Sequence, residues 1–130
     1  MATVEYRRVF VEKVALAASD SAGGVFAWQN PHENAVIVTR VVLDVTTKAT
    51  AACTLDVGMT ATSAATSADN LIDGLDVNAA AGVFDNVEDQ GTNGTSRQKV
   101  ASGKWVTASK ASGATAGLIG TAFIEYYVVA

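Results

Sequence analysis

Residues 35–47 read AVIVTRVVLDVTT, and this stretch decides the fold. β-Branched residues fill it, and their stiff side chains favour an extended strand over a helix. Because successive side chains of a strand point to opposite sides, the stretch has two faces. The residues expected to face the core are Ile37, Thr39, Val41, Leu43 and Val45. The opposite face, expected to be only partly covered, carries Val36, Val38, Arg40, Val42 and Asp44.

Further strands are predicted on both sides of this one, at residues 25–28, 53–59, 83–84, 99–101, 105–109 and 117–129. A turn at residues 48–51 predicts that 53–59 returns as the hairpin partner of the first strand. Residues 69–75 (DNLIDGL) predict one turn of helix, with Asp69 as its N-cap and Gly74 as its stop. A turn is also expected at residues 110–116. Short strands separated by Gly, Ser and Asn at intervals near ten residues predict an all-β sandwich or barrel.

The N-terminal segment leaves two interpretations open. Residues 4–16 (VEYRRVFVEKVAL) fit a strand by their β-branched and aromatic content, and part of the segment also fits a helical period. Residues 19–24 (SDSAGG) have the composition of a turn or short linker. We therefore divide the chain into an N-terminal arm or first strand at 1–22 and a β-sandwich domain at 23–130.

The size, charge and residue content of the chain exclude several classes of function. A chain of 130 residues, 49% of them hydrophobic, has the size of one domain and either covers its strands on both faces or has a surface covered in an assembly. The formal charge of −4 argues against nucleic-acid binding. The single cysteine, Cys53, alternates with Leu55 and Val57 and is interpreted as a small core residue. No apolar run could span a membrane and no secretory signal is recognisable, so we expect synthesis and solubility in the cytoplasm.

No constellation of catalytic residues stands out, and we predict neither an enzyme nor a cofactor. His32 is the sole histidine, and we interpret it as an exposed residue of the loop at 30–34. The clustered acidic residues are Asp69, Asp73, Asp76, Asp85, Glu88 and Asp89. Their spacing does not match a calcium-binding loop, so we interpret them as solvated charge, with a structural cation as the alternative. The two tryptophans, Trp28 and Trp105, lie beside turns and either cap the core or anchor a partner.

Several stretches together resemble small accessory proteins of tailed-bacteriophage virions, namely head-decoration, cement or head-fibre proteins. The stretches are 37–47 (IVTRVVLDVTT), 54–58 (TLDVG), 70–77 (NLIDGLDV), 103–109 (GKWVTAS) and 116–118 (AGL). The resemblance covers roughly residues 25–127 and is one of pattern, with no single diagnostic motif.

The resemblance implies a jelly-roll-like β-sandwich on the outside of a capsid, with the major capsid protein or other virion proteins as partners. It also implies a homo-oligomer, with a trimer favoured, and no nucleic-acid or membrane partner. An N-terminal arm that adds a strand to a neighbouring subunit would suit such an assembly. The candidate partner-binding residues are Tyr6, Arg8, Phe10, Trp28 and Trp105. The alternative is a tail or fibre module that binds a glycan or protein on the host surface.

Overall fold

A computed structural model of the chain describes residues 8–129. Within this range there are nine strands and no helix. The strands are β1 (Val9–Ala15), β2 (Phe26–Gln29), β3 (Val36–Thr47), β4 (Cys53–Thr60), β5 (Ile72–Asp76), β6 (Gly82–Asp85), β7 (Gln98–Val100), β8 (Trp105–Gly113) and β9 (Ile119–Val128). All strand pairs are antiparallel. In the described part of the chain, no helix is long and apolar enough to cross a bilayer.

The strands form two sheets packed face to face, which confirms the predicted β-sandwich. Sheet A has the order β1-β9-β3-β6, with β7 also paired to β3, and sheet B has the order β2-β8-β4-β5. The predicted hairpin of β3 and β4 is wrong, because these strands lie in different sheets. The linker between them instead crosses from one sheet to the other: Ala49 is buried and donates its backbone N–H to Val77, just after β5.

The predicted core face of β3 is right in one half of the strand and wrong in the other. Val41, Leu43 and Val45 face the core as expected, but at the start of the strand Val36 and Val38 are the buried residues. The register against β9 shifts between Val38 and Arg40. Such a bulge inserts one residue and moves every side chain before it to the opposite face.

The helical turn predicted at residues 69–75 is also wrong, because β5 pairs with β4 there. Ile72 and Leu75 lie opposite Val57 and Leu55, so three steps on β5 match two steps on β4. Gly74 lies within this irregularity at a φ of 72°. The extra residue lets side chains three positions apart both face the core, and that spacing also fits a helix.

The remaining strands follow the predictions closely. β8 continues to Gly113, so the turn predicted at 110–116 begins later than expected. β1 pairs with β9 of the same chain, and the strand interpretation therefore holds for Val9–Ala15. The alternation of β4 is as predicted, and Cys53 is a core residue with 3% of its surface exposed. The division of the chain at residue 22 stays a prediction.

Candidate partner-binding site

An aromatic cluster fills the side of the sandwich where β1 and β2, the edge strands of the two sheets, lie near each other. The Phe10 ring stacks on the Tyr126 ring with centroids 5.2 Å apart. The Trp28 ring also packs against Tyr126, with centroids 4.8 Å apart and the ring planes tilted by 44°. His32 lies 5.2 Å from Phe10 and 5.6 Å from Tyr126. Four rings from three strands and one loop thus form a continuous aromatic layer around Tyr126.

The hydroxyl of Tyr126 ties this cluster to the loop after β2. It lies 3.1 Å from Nε2 of His32. Burial raises the pKa of this hydroxyl above its ordinary value, and the negative charge of nearby Glu12 raises it further. Tyr126 therefore remains protonated at neutral pH and is available for the hydrogen bond. The interpretation of His32 as a freely exposed loop residue needs correction, since the ring is half-buried against Phe10 and Tyr126.

Three of the five predicted partner-binding residues meet at this cluster. Arg8 is exposed and places its guanidinium carbon 5.8 Å from the centre of the Phe10 ring, while Trp28 is buried beneath. Trp105 lies elsewhere: it pairs with Gln29 on the face of sheet B that points away from the core, and it is half-buried. Tyr6 lies outside the described residues.

Sequence reasoning missed Tyr126 and the contact with His32. One signal for Tyr126 was available, since Ala122, Ile124 and Tyr126 follow a two-residue period and are all fully buried. No local signal marks His32, because its partner Tyr126 is 94 residues away in the chain.

The opposite side of the sandwich is closed by the loop between β6 and β7. Asp73 donates its backbone N–H to the carbonyl of Gln90, and Thr95 donates to the carbonyl of Asn70. Side chains add further bonds there, including that from the hydroxyl of Thr95 to Asn70 at 2.8 Å. The two sides of the molecule therefore differ: one is bridged by a loop, and the other ends in edges of β1 and β2 with which no strand of residues 8–129 pairs.

The outer face of sheet A mixes exposed apolar side chains with charged ones, such as Lys13, Arg40 and Glu125. Val9, Val11 and Val83 expose 59%, 59% and 69% of their surface there. Phe123 and Tyr127, half-buried, lie on the same face because they alternate with the buried residues of β9. Contiguous exposed apolar surface marks contact sites with other proteins, and Val9, Val11 and Tyr127 adjoin one another at the β1 edge of this face.

The chain's own loops cover part of the outer face of sheet B. Thr107 and Ser109 point away from the core yet are buried, with 0% and 2% exposure. The hydroxyl of Ser67 lies 2.7 Å from that of Thr107 and 2.8 Å from that of Ser109, and Gly23 donates its backbone N–H to Ser109. This part of the face binds the chain's own loops through hydroxyl groups, while Trp105 on the same face stays partly exposed. We refer to the outer face of sheet A, with its exposed valines, as the open face.

A cleft of about 340 Å³ lies at the end of the sandwich, lined by Met59, Thr60, Ala61, Lys99, Ala101 and Lys104. Its combination of apolar side chains and two lysines would suit an anionic group with an apolar body.

The acidic residues serve mainly as local caps. The carboxylate of Asp85 accepts the backbone N–H groups of Val87 and Glu88, and it lies 4.0 Å from the guanidinium of Arg40. Asp73 accepts the N–H of Asn93 in the same region. Among the side chains of residues 8–129, no three of the types His, Cys, Asp and Glu are grouped as a metal site would require.

No protein-family model matches the chain. A search of curated proteins gives no match either. One solved structure, described as the capsid of Ralstonia phage GP4, contains a chain with a similar fold: the TM-score is 0.61 and the sequence identity 23%, over 99% of this chain and 90% of that chain. At this identity the similarity concerns the fold.

Proposed function

We propose that this chain is a non-enzymatic structural protein of a bacteriophage virion, which decorates and stabilises the exterior of the capsid. The similarity in fold to a chain of a phage capsid carries the proposal, because it extends over 99% of this chain and 90% of the other. A match over nearly the full length of both chains supports a shared architecture more strongly than a match of one motif would. Fold alone does not fix function, so the surface must support the same role.

The strand order supports the finer classification as a jelly roll. Such folds have eight strand positions in two four-stranded sheets connected as Greek keys. In sheet A, β6 and β7 pair with different parts of β3, Val42–Val45 in one case and Val36–Val38 in the other, and so share one position. The two sheets then have four positions each.

The open face of sheet A supports the docking role. Its exposed valines and half-buried aromatics, with charged side chains between them, form a mixed surface that a protein partner could bury. A homo-oligomer, with a trimer favoured, would present this face several times to a shell with many identical sites. Linked weak contacts then give an avidity that a single copy lacks. The major capsid protein or another virion protein is the expected partner.

The test uses capsids assembled without this protein, to which the purified chain is added at saturating concentration. We expect it to cosediment with the shells and to raise the temperature at which they break apart. The variant Val83→Asp, which places a charge on the open face, should reduce binding, while Thr66→Asp on an exposed loop of the other face should not. Failure of the wild-type chain to bind would refute the proposal.

The alternative, a tail or fibre module for host glycans or proteins, would need exposed aromatic side chains. Trp28 exposes only 8% of its surface, whereas the half-buried Trp105 keeps part of its ring accessible. Trp105 is therefore the observation that favours this alternative. Binding of the isolated chain to a glycan array or to host cells, lost in Trp105→Ala, would support it over capsid decoration.

A further inference from the structure

One backbone edge of β1 is paired with none of the other strands that the structure describes. Leu16 donates its N–H to Gly120, just beyond the end of β1 and on the side of β9, and the next residue, Ala17, donates in the opposite direction to Val25. Because backbone groups alternate sides along an antiparallel strand, every second residue of β1 directs its N–H and C=O away from β9. These residues are Val9, Val11, Lys13 and Ala15. Within residues 8–129, no strand pairs with that side of β1.

The residues along this edge have the character of a contact surface. Val9 and Val11 each expose 59% of their surface, more than half of a large apolar side chain. On the other face of the strand, Arg8 and Glu12 flank Phe10, and both are exposed. An open edge with apolar side chains is a template for a further strand.

We propose that β1 of a second copy of this chain pairs antiparallel with this edge, about a two-fold axis that passes through Phe10. The pairing would join sheet A of one copy to sheet A of the other. The proposal goes beyond the proposed function and does not depend on it, since it concerns the association of the free protein.

The two-fold axis restricts the register. Paired residues of two neighbouring strands point to the same face, so the axis must pass through a residue and not between two. With the axis at Phe10, Val9 lies opposite Val11 of the second copy. On the other face, Phe10 meets Phe10, and Arg8 meets Glu12 of the second copy.

The neighbouring registers are less favourable. An axis at Glu12 or at Lys13 places like charges directly opposite each other, which destabilises a strand pair. An axis at Val11 sets the aromatic ring of Phe10 against the carboxylate of Glu12. With the axis at Phe10, residues 8–12 of the two copies pair apolar with apolar side chains and opposite charges with each other, while Lys13 falls beyond this segment, opposite the position that Arg7 has in the sequence.

The directions of the backbone N–H and C=O groups along β1 also agree with this register. Val9 and Val11 direct their N–H and C=O groups to the free edge, so each Val9–Val11 pair would exchange two hydrogen bonds. Phe10 directs its own groups toward β9 and would form a pair without hydrogen bonds, in which side chains approach most closely. The contact joins copies in pairs and leaves the open face of sheet A free for a three-fold contact.

Charge reversal tests the register, with the mass in solution measured by sedimentation equilibrium from 1 to 100 µM. We expect the wild type to form dimers, and Arg8→Glu and Glu12→Arg each to weaken dimerisation at least tenfold. The double variant Arg8→Glu/Glu12→Arg should regain it, because each ion pair is restored with its signs exchanged. Glu88→Arg, the same charge change on an exposed loop at the other side of the sandwich, should leave the dimer unchanged.

The mixture of the two single variants gives the sharpest outcome. Each variant alone opposes like charges at both ends of the paired strands. In a heterodimer, one end carries the natural pair, Arg8 of the Glu12→Arg copy against Glu12 of the Arg8→Glu copy. The other end sets the introduced carboxylate at position 8 against the introduced guanidinium at position 12, so both ends again join opposite charges.

We therefore expect heterodimers in the equimolar mixture from variants that are monomers alone. A monomeric wild type, single variants that still dimerise, or a mixture and double variant that stay monomeric would each overturn the proposal.

Hydrogen exchange of the wild type gives a second readout that needs no variant. The amides of Val9 and Val11 should exchange more slowly as the protein concentration rises, while those of Ile37 and Val38 within sheet A should not change. Exchange at Val9 and Val11 that is independent of concentration would overturn the proposal.

Discussion

Replacement of Asn86 by alanine should destabilise the protein through the bulge in β3. Asn86 is fully buried; its Oδ1 accepts the backbone N–H of Val41 at 2.8 Å, and its Nδ2 donates to the carbonyl of Thr95 at 3.0 Å. Each lost hydrogen bond costs about 1 kcal/mol, and the buried N–H of Val41, left without an acceptor, raises the total. We expect a loss of roughly 2–4 kcal/mol in the free energy of unfolding.

Urea denaturation followed by tryptophan fluorescence measures this loss. Asn93→Ala is the matched control, because Asn93 is an exposed asparagine of the same loop whose side chain bonds only the carboxylate of Asp69, at 3.0 Å. It should cost less than about 1 kcal/mol. If Asn86→Ala costs no more than Asn93→Ala, the side chain does not hold the bulge and the reasoning is wrong.

Three further predictions test other parts of the fold. Gly113→Ala and Gly103→Ala both place a side chain at positive φ, 77° and 75°, but only at Gly113 would the new Cβ overlap a backbone carbonyl. Gly113→Ala should therefore lower the free energy of unfolding by about 1–3 kcal/mol more than Gly103→Ala. Equal losses in urea denaturation would contradict this. Ser67→Ala removes two buried hydroxyl contacts and should lower stability by about 1–2 kcal/mol in the same assay, and an unchanged midpoint would count against the hydroxyl network. The backbone N–H and then the hydroxyl of Thr115 lower the pKa of Asp20 below its usual 3.8, so this carboxylate stabilises the fold above that pH and ceases to do so as pH falls through the lowered pKa. Asp20→Asn should therefore show a smaller decrease in melting temperature between pH 5 and pH 2 than the wild type, and identical pH profiles would exclude the effect.

Local alternation in the sequence was enough to predict most strands, and it failed where a distant residue intervenes. In β4 the period of Cys53, Leu55 and Val57 translates directly into burial. In β3 the same reasoning misassigns Val36 and Val38, because the bulge shifts the phase. The acceptor for the N–H at that point comes from 45 residues further along the chain, and no local pattern reports it.

The candidate site was predictable to a similar extent. Arg8, Phe10 and Trp28 are recognisable in the sequence as aromatic or basic residues near turns and in the first strand, and they meet in the folded chain. Phe10 and Trp28 both contact Tyr126, which belongs to β9, the last strand in chain order. These contacts can be predicted only if the order of strands in the sheets is known. Sheet order is set by packing of the whole core, which single-sequence patterns do not encode.

The order of strands in the two sheets has a consequence for how the chain must fold during synthesis. β9 lies between β1 and β3, and β8 lies between β2 and β4. β8 and β9 are also the last two of the nine described strands in chain order, so the four earlier strands have no neighbour on that side until these two have been made. Val9 pairs with Tyr127, so sheet A closes through contacts between distant ends of the chain, which form slowly. We infer that the two sheets form only after β8 and β9 have been synthesised, when each inserts between two strands made earlier.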